Sequence, residues 1–199
     1  MFFQIALNLM TFQILMKALS YQIAQTIEDF QGILNLQREN HLSSLDSLEH
    51  GFVTVLHKIE DIQKMNGFAP HIIAKDGQKV AAYVLAMTVD SKDDVPVLIP
   101  MFEQFDQLDF KGKKVSEYKY LVVGQVCVGK DYRGLGVFDQ LYQKYKEVHS
   151  KDFVFVITEI ATNNVRSLKA HQRVGFQEIQ RFTDPIPMEW SIVIWDWKS

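Results

Sequence analysis

Apolar and polar positions along this chain change period several times, and each change marks an element. Leu121, Val122, Val123, Val126 and Val128 form a nearly continuous apolar run, which predicts a strand covered on both faces. Val137, Leu141, Tyr145 and Val148 then recur at helical spacing, with Asp139, Gln143, Lys144 and Glu147 on the outward side. A second apolar run, Phe153 to Ile157, follows directly. The three segments predict a βαβ unit, whose strands are parallel and joined by a right-handed crossover.

Shorter periodic segments precede this unit. Tyr21 to Ala24 reads as a first strand, after which Thr26 caps a helix with Asp29 in the capping-box position. Phe30, Ile33, Leu34 and Gln37 continue its inner face, and a polar stretch around 39–47 ends it. Phe52, Val55, Leu56, Ile59 and Ile62 predict a second helix carrying His57, stopped by Asn66-Gly67. His71 to Lys75 and Lys79 to Val89 flank Asp76-Gly77, a strong hairpin signal. Between Asp90 and Lys119, Met101, Phe102, Phe105 and Leu108 predict a short helix beginning at or just after Pro100. The chain closes with Phe176 to Phe182, a loop holding Pro185 and Pro187, and Ser191 to Trp197, read as an antiparallel pair.

Composition narrows the picture to one domain, since 199 residues at 47% hydrophobic and 23% charged suffice for one sizeable core. The formal charge of −3 comes without a basic stripe. Lys111, Lys113 and Lys114 are the only local cluster and read as a solvated loop, so no nucleic-acid partner is expected. Cys127 is the single cysteine; no intramolecular disulfide can form, which fits a reducing cytoplasm. Residues 1–19 are apolar, with Lys17 their only charge, but Gln4, Asn8, Thr11 and Gln13 interrupt the run and no basic residue precedes it. A membrane role is therefore not expected of this extension; a docked extra helix, or residues ahead of the true start, explains it, leaving 20–199 as the domain. No metal-ligand set is patterned.

The first chemical signal is the turn between the central strand and its helix. Gly134 and Gly136 can take backbone angles closed to other residues, so successive N–H groups can converge on an anion while the helix adds the positive end of its dipole. Phosphate is the expected guest, and ligands in such sheets sit beyond the carboxyl ends of the strands.

These residues resemble the acetyl-CoA loop of the GNAT superfamily of N-acetyltransferases, Arg/Gln-x-x-Gly-x-Gly/Ala, with Arg133, Gly136 and Phe138 at the three specified positions. Phe138 departs from the pattern, implying an outward-turned ring or a slightly displaced cofactor. A second signature lies after the next strand, where Asn164-x-x-Ser167-x-x-x-His171-x-x-x-Gly175-Phe176 is similar to the family's Asn-x-x-Ala-x-x-x-Tyr-x-x-x-Gly-Phe helix. The resemblance implies a single-domain α/β GNAT fold: a mixed, mostly antiparallel sheet with a central parallel βαβ pair and helices on both faces. It also implies acetyl-CoA as co-substrate, and it makes the Met101 to Leu108 stripe, otherwise packing, a candidate for acceptor selectivity.

Acetyl transfer to an amine needs a held thioester, a neutral amine, oxyanion stabilisation and a proton for the leaving thiolate. By the resemblance, the backbone of Val126, Cys127 and Val128 pairs with the pantetheine arm. Arg133, Gly134, Leu135, Gly136, Val137 and Phe138 hold the pyrophosphate. Cys127 itself reads as a packed residue, because no His or Asn is patterned around it. Glu159, at the end of its strand and five residues before Asn164, is the general-base candidate; the spacing resembles enzymes that acetylate N-terminal amines of ribosomal proteins. A structural ion pair explains it equally well, and partial burial would raise its pKa toward the working range. Asn164 and His171 share a helix face. Asn164 serves as an N-cap, a pantetheine contact, or both. His171 replaces the family's Tyr as proton donor, roughly one-quarter protonated at pH 7 if unshifted; a packed, hydrogen-bonded histidine is the alternative. His57 reads as surface or packing.

The expected function is direct acetyl transfer from acetyl-CoA to a primary amine of a small molecule or peptide. The rival is a non-catalytic acyl-CoA binding or sensing module, favoured by Phe138 and His171. A nucleotide-binding fold accounts for the glycine turn but gives Asn164 to Phe176 no place. A homodimer formed through the aromatic strand from Trp190 to Trp197 is compatible with the sequence, as is burial of that strand in the core.

Overall fold

The computed structural model describes residues 19–45, 51–93, 95–96, 99–183 and 188–198. The apolar N-terminal extension, apart from Leu19, and the loop prolines Pro185 and Pro187 lie outside the described residues. Seven strands form one sheet: β1 (Leu19–Ile23), β2 (Ile72–Asp76), β3 (Lys79–Met87), β4 (Leu121–Val128), β5 (Phe155–Ala161), β6 (Gln177–Thr183) and β7 (Glu189–Asp196). Their spatial order is β1-β2-β3-β4-β5-β7-β6. Only β4 and β5 are parallel, and every other pair is antiparallel. Among the described residues five helices accompany this sheet: α1 (Ile27–Asn40), α2 (Ile59–Phe68), α3 (Ile99–Asp106), α4 (Val137–His149) and α5 (Val165–Val174). Among the described residues no helix is long and apolar enough to cross a membrane.

The sheet alternation divides the core into two layers. Phe30, Ile33 and Leu36 of α1, Ile62 and Met65 of α2, and Phe102 and Phe105 of α3 pack on one face with Tyr83, Val122, Cys127 and Ile157. On the other face Val137, Leu141, Tyr142 and Tyr145 of α4 meet Ala82, Val84, Val123, Val156 and Phe176. Thr26 and Asp29 form the expected capping box, and Asp29 also meets Lys75 at 2.8 Å, tying α1 to the sheet. Phe102 and Phe105 are fully buried, so the inner aromatic positions of the long connection belong to packing.

The predicted second helix is displaced. It starts at Ile59 and runs through Asn66 and Gly67 to Phe68. Residues 52–58 are extended, because Val53 exchanges backbone hydrogen bonds of 3.0 Å with Asn40 and Leu42, and the His57 amide donates to Gln37 Oε1 at 3.0 Å. His57 thus precedes the helix and is buried. The last two strands form the expected antiparallel pair at one end of the sheet, with β7 between β5 and β6 and hydrogen-bonded on both sides. The β7 backbone therefore has no free edge for pairing with a second copy. Trp195 and Trp197 pack inward against Tyr142, Tyr145 and Phe176.

Burial lowers the pKa of four histidines, His57 among them, and three of the shifts are large enough to make the fold sensitive to acid. His71 receives the Ala86 amide on Nδ1 and donates from Nε2 to Ile62 O, both at 3.0 Å, and burial lowers its pKa to about 3. Burial likewise lowers His149, which donates to Pro70 O, and His171 to about 4. All three stay neutral in the folded chain but take up protons near pH 6.5 when unfolded. Their contribution is therefore complete above pH 6.5 and is lost as pH falls toward 3 to 4, by about 2 kcal/mol per histidine at pH 5. Urea unfolding is expected to show stability falling between pH 6 and 4.5 with a slope approaching three protons. A flat profile over that window would mean the histidines are charged in the native protein.

Candidate active site

The site lies where the two parallel strands separate. β4 and β5 are in register only at Leu121–Val156 and Val122–Ile157. Thr158 then donates its hydroxyl to Val123 O at 2.8 Å, after which β4 pairs only with β3 and β5 only with β7. The apolar runs foretold both strands but not this parting, and β5 begins two residues later than the Phe153–Ile157 run and continues to Ala161. Glu159 is thus not the strand's last residue.

A bulge sets the side chains around the opening. Leu85 pairs with Gln125 and Ala86 with Val123, which leaves Gly124 as the extra residue. A Cβ on Gly124 would stand 1.9 Å from Met87 Cε. The extra residue reverses the alternation, so Cys127 joins Val122 on the α1 face while Val126 and Val128 turn toward α4. Gln125 links Tyr83 to the crossing segment, donating to Val55 O at 2.9 Å. Cys127 is buried and its thiol is pushed up to about 12, chiefly by burial, which makes it inert as a nucleophile near neutral pH.

At the end of β4 the glycine turn forms as its sequence suggests. Gly134 and Gly136 both have φ of +76°, and Gly136 is the N-cap of α4, with no side chain capping the helix. The amides of Gly134, Leu135, Gly136, Val137 and Phe138 find no acceptor among the described residues. Five unpaired donors at the positive end of a helix fit a diphosphate. A cavity of about 490 Å³ opens there, lined by Val126, Cys127, Val128, Arg133, Gly134, Gly136, Val137, Phe138 and Asn164, whereas Leu135 lies outside the lining. Arg133 has a bracing geometry: its guanidinium donates to Val128 O at 3.1 Å and to Asn40 Oδ1 at 2.5 Å. Asn40, missed in the sequence, is the buried last residue of α1. The Phe138 ring turns toward α5, 4.9 Å from Tyr142 and 5.2 Å from His171, while still lining the cavity.

A smaller cleft of about 90 Å³ continues between the parted strands, lined by Glu159, Thr158, Asn164, Ser167, His171, Trp190 and the crossing segment from Phe52 to Val55. Asn164 caps α5 by accepting from the Ser167 amide at 3.3 Å and donates to Phe52 O at 3.4 Å. Phe52 and Asn164 line both spaces, so they mark the passage between them.

His171 is buried with both ring nitrogens engaged. Ser167 O can only accept, so the 2.8 Å contact places the proton on Nδ1, and Nε2 then accepts from the Tyr142 hydroxyl at 2.7 Å. Its depressed pKa leaves about one ring in a thousand protonated at pH 7. Burial also raises Tyr142 well above the usual phenol range. Tyr142 was not picked out in the sequence. Its signal was the helical spacing of the aromatic positions Phe138, Tyr142, Tyr145 and His149, which share Tyr145 with the apolar stripe.

The family model for the acetyltransferase (GNAT) family matches residues 31–176. The chain therefore belongs to the GNAT acetyltransferases, a family whose co-substrate is acetyl-CoA. Solved structures share the fold at low identity. A ribosomal-protein-alanine N-acetyltransferase from Brucella melitensis is 15% identical, with a TM-score of 0.58 over 89% of this chain and 99% of the other. NAA60 of Arabidopsis thaliana in complex with acetyl-CoA is 12% identical, with a TM-score of 0.62 over 89% and 99%. An N-acetyltransferase from Staphylococcus aureus Mu50 is 15% identical, with a TM-score of 0.61 over 89% and 98%. No curated protein matches the sequence.

Proposed function

We propose that the chain transfers acetyl directly from acetyl-CoA to a primary amine of a small molecule or peptide. The observation that carries this reading is the set of five unpaired amides at the head of α4, standing beside the partnerless side of β4 and one passage away from Glu159. Acetyl-CoA supplies an activated thioester carbonyl. The amides of Gly134 to Phe138 bind its pyrophosphate, and Val126, Cys127 and Val128 offer backbone groups to the pantetheine arm. Arg133 and Asn164 act by bracing: one holds the end of β4 to α1, the other holds the crossing segment over the passage.

Glu159 takes the role of base, removing a proton from the incoming amine directly or through water. His171 enters as a positioning residue, because a ring with a pKa near 4 has almost no imidazolium to give at neutral pH. The kcat profile is then expected to show no alkaline limb near pH 6.5. Such a limb, lost in His171→Gln, would return the donor role to His171. The buried lone thiol of Cys127 fits a reducing, cytoplasmic setting.

The test is a panel of amine acceptors with acetyl-CoA, followed by release of free thiol. Turnover above hydrolysis is the expected result. Tight CoA binding with no turnover on small amines, lysine peptides or free peptide N-termini would identify a sensor instead.

A further inference from the structure

The cavity beside the glycine turn holds more positive charge than the turn itself explains. Four cations line it, Arg133, Arg166, Lys169 and Arg173, against one carboxylate, Asp139. The chain as a whole is acidic, with a formal charge of −3. Two of the four are committed internally. Arg133 braces Val128 and Asn40, and Arg173 forks onto Asp139 with its shortest contact at 2.7 Å. Arg166 and Lys169 are exposed and make no hydrogen bond or ion pair among the described residues. Three positions apart on α5, they share one side of the helix, within a turn of each other. Arg166 also lies near enough to Arg133 for the two charges to oppose each other. Like charges gathered without a counter-ion are costly, and an anionic guest relieves that cost.

This inference rests on the proposed coenzyme in the cavity. Its pyrophosphate is satisfied by the amides at the head of α4, but the coenzyme carries a second phosphoryl group, the 3′-phosphate of its ribose. A phosphate monoester bears about −1.5 to −2 charge at pH 7 and offers three acceptor oxygens. We propose that Arg166 and Lys169 form the binding site for the 3′-phosphate, so that the protein distinguishes CoA from 3′-dephospho-CoA. An acidic acceptor is the competing guest, yet the lining of the acceptor cleft contains Glu159 and no lysine or arginine. The basic pair belongs to the coenzyme side.

Calorimetry with CoA and with 3′-dephospho-CoA tests the assignment, using the wild type and the double variant Arg166→Gln/Lys169→Gln, with circular dichroism to verify folding. Wild type is expected to bind CoA about tenfold or more tighter than its dephospho form, the order for charge-assisted phosphate contacts at an open site. In the double variant that ratio should fall toward one, through loss of CoA affinity, while dephospho-CoA binding stays within about twofold. Added salt should narrow the ratio in wild type only. Equal affinity of wild type for the two nucleotides would overturn the proposal, as would a variant that weakens both equally. In either case nucleotide binding by wild type leaves the coenzyme reading standing; binding of neither nucleotide would remove both.

Discussion

Replacing Gly136 by Asp is expected to abolish CoA binding in a protein that still folds. Gly136 is the N-cap of α4 and has φ of +76°. Asp is among the few residues that tolerate this left-handed region, and it is a favoured N-cap, so the cost to folding is about 1 kcal/mol. Its carboxylate would satisfy the very amides that otherwise await an anion, adding bulk and negative charge where a diphosphate must sit. Gly136→Asn separates the two effects, since it keeps the shape without the charge and should retain part of the affinity. Calorimetry with CoA reads the outcome; unchanged binding to folded Gly136→Asp would remove the turn from the coenzyme site.

Glu159→Gln is expected to lower kcat by roughly 10² or more, the range for losing an acid–base group, while CoA affinity changes little. The two readouts separate because Glu159 lines the smaller cleft and is absent from the lining of the larger cavity. The amide of Gln keeps the size of the side chain and one acceptor oxygen, so the strand pairing at Glu159 and Ile192 of β7 is preserved. Near-full turnover by this variant with the best acceptor would assign Glu159 to the structure of the sheet.

The glycine turn, the helix that follows it and the Asn164 cap were legible in sequence because each depends on neighbours. Gly134 and Gly136 carry their own backbone preference, and Asn164 caps amides only three residues away. What could not be read depends on distant partners. Residues 52–58 carry apolar positions at helical spacing, yet Asn40 and Leu42 capture the backbone of Val53 and hold it extended. The bulge at Gly124 is invisible in an apolar run that reads as a strand with or without an extra residue. His171 was legible as a candidate, but its low pKa arises from burial and its hydrogen-bonding from Tyr142, 29 positions away. The chemistry assigned to a histidine from sequence thus holds only when its surroundings leave it a proton.

The parting of β4 and β5 gives the sheet an unusual economy. Strands β1 to β4 run consecutively through one flank and β5 to β7 through the other, so each flank closes its own ladder without help from the wedge between them. Two register pairs, the Thr158 hydroxyl on Val123 O and the Val154 amide on Lys119 O form the seam. The proposed site therefore lies in a gap that neither ladder spans. Residues that only face the gap have more latitude to vary than Thr158, which faces it and also joins the two halves.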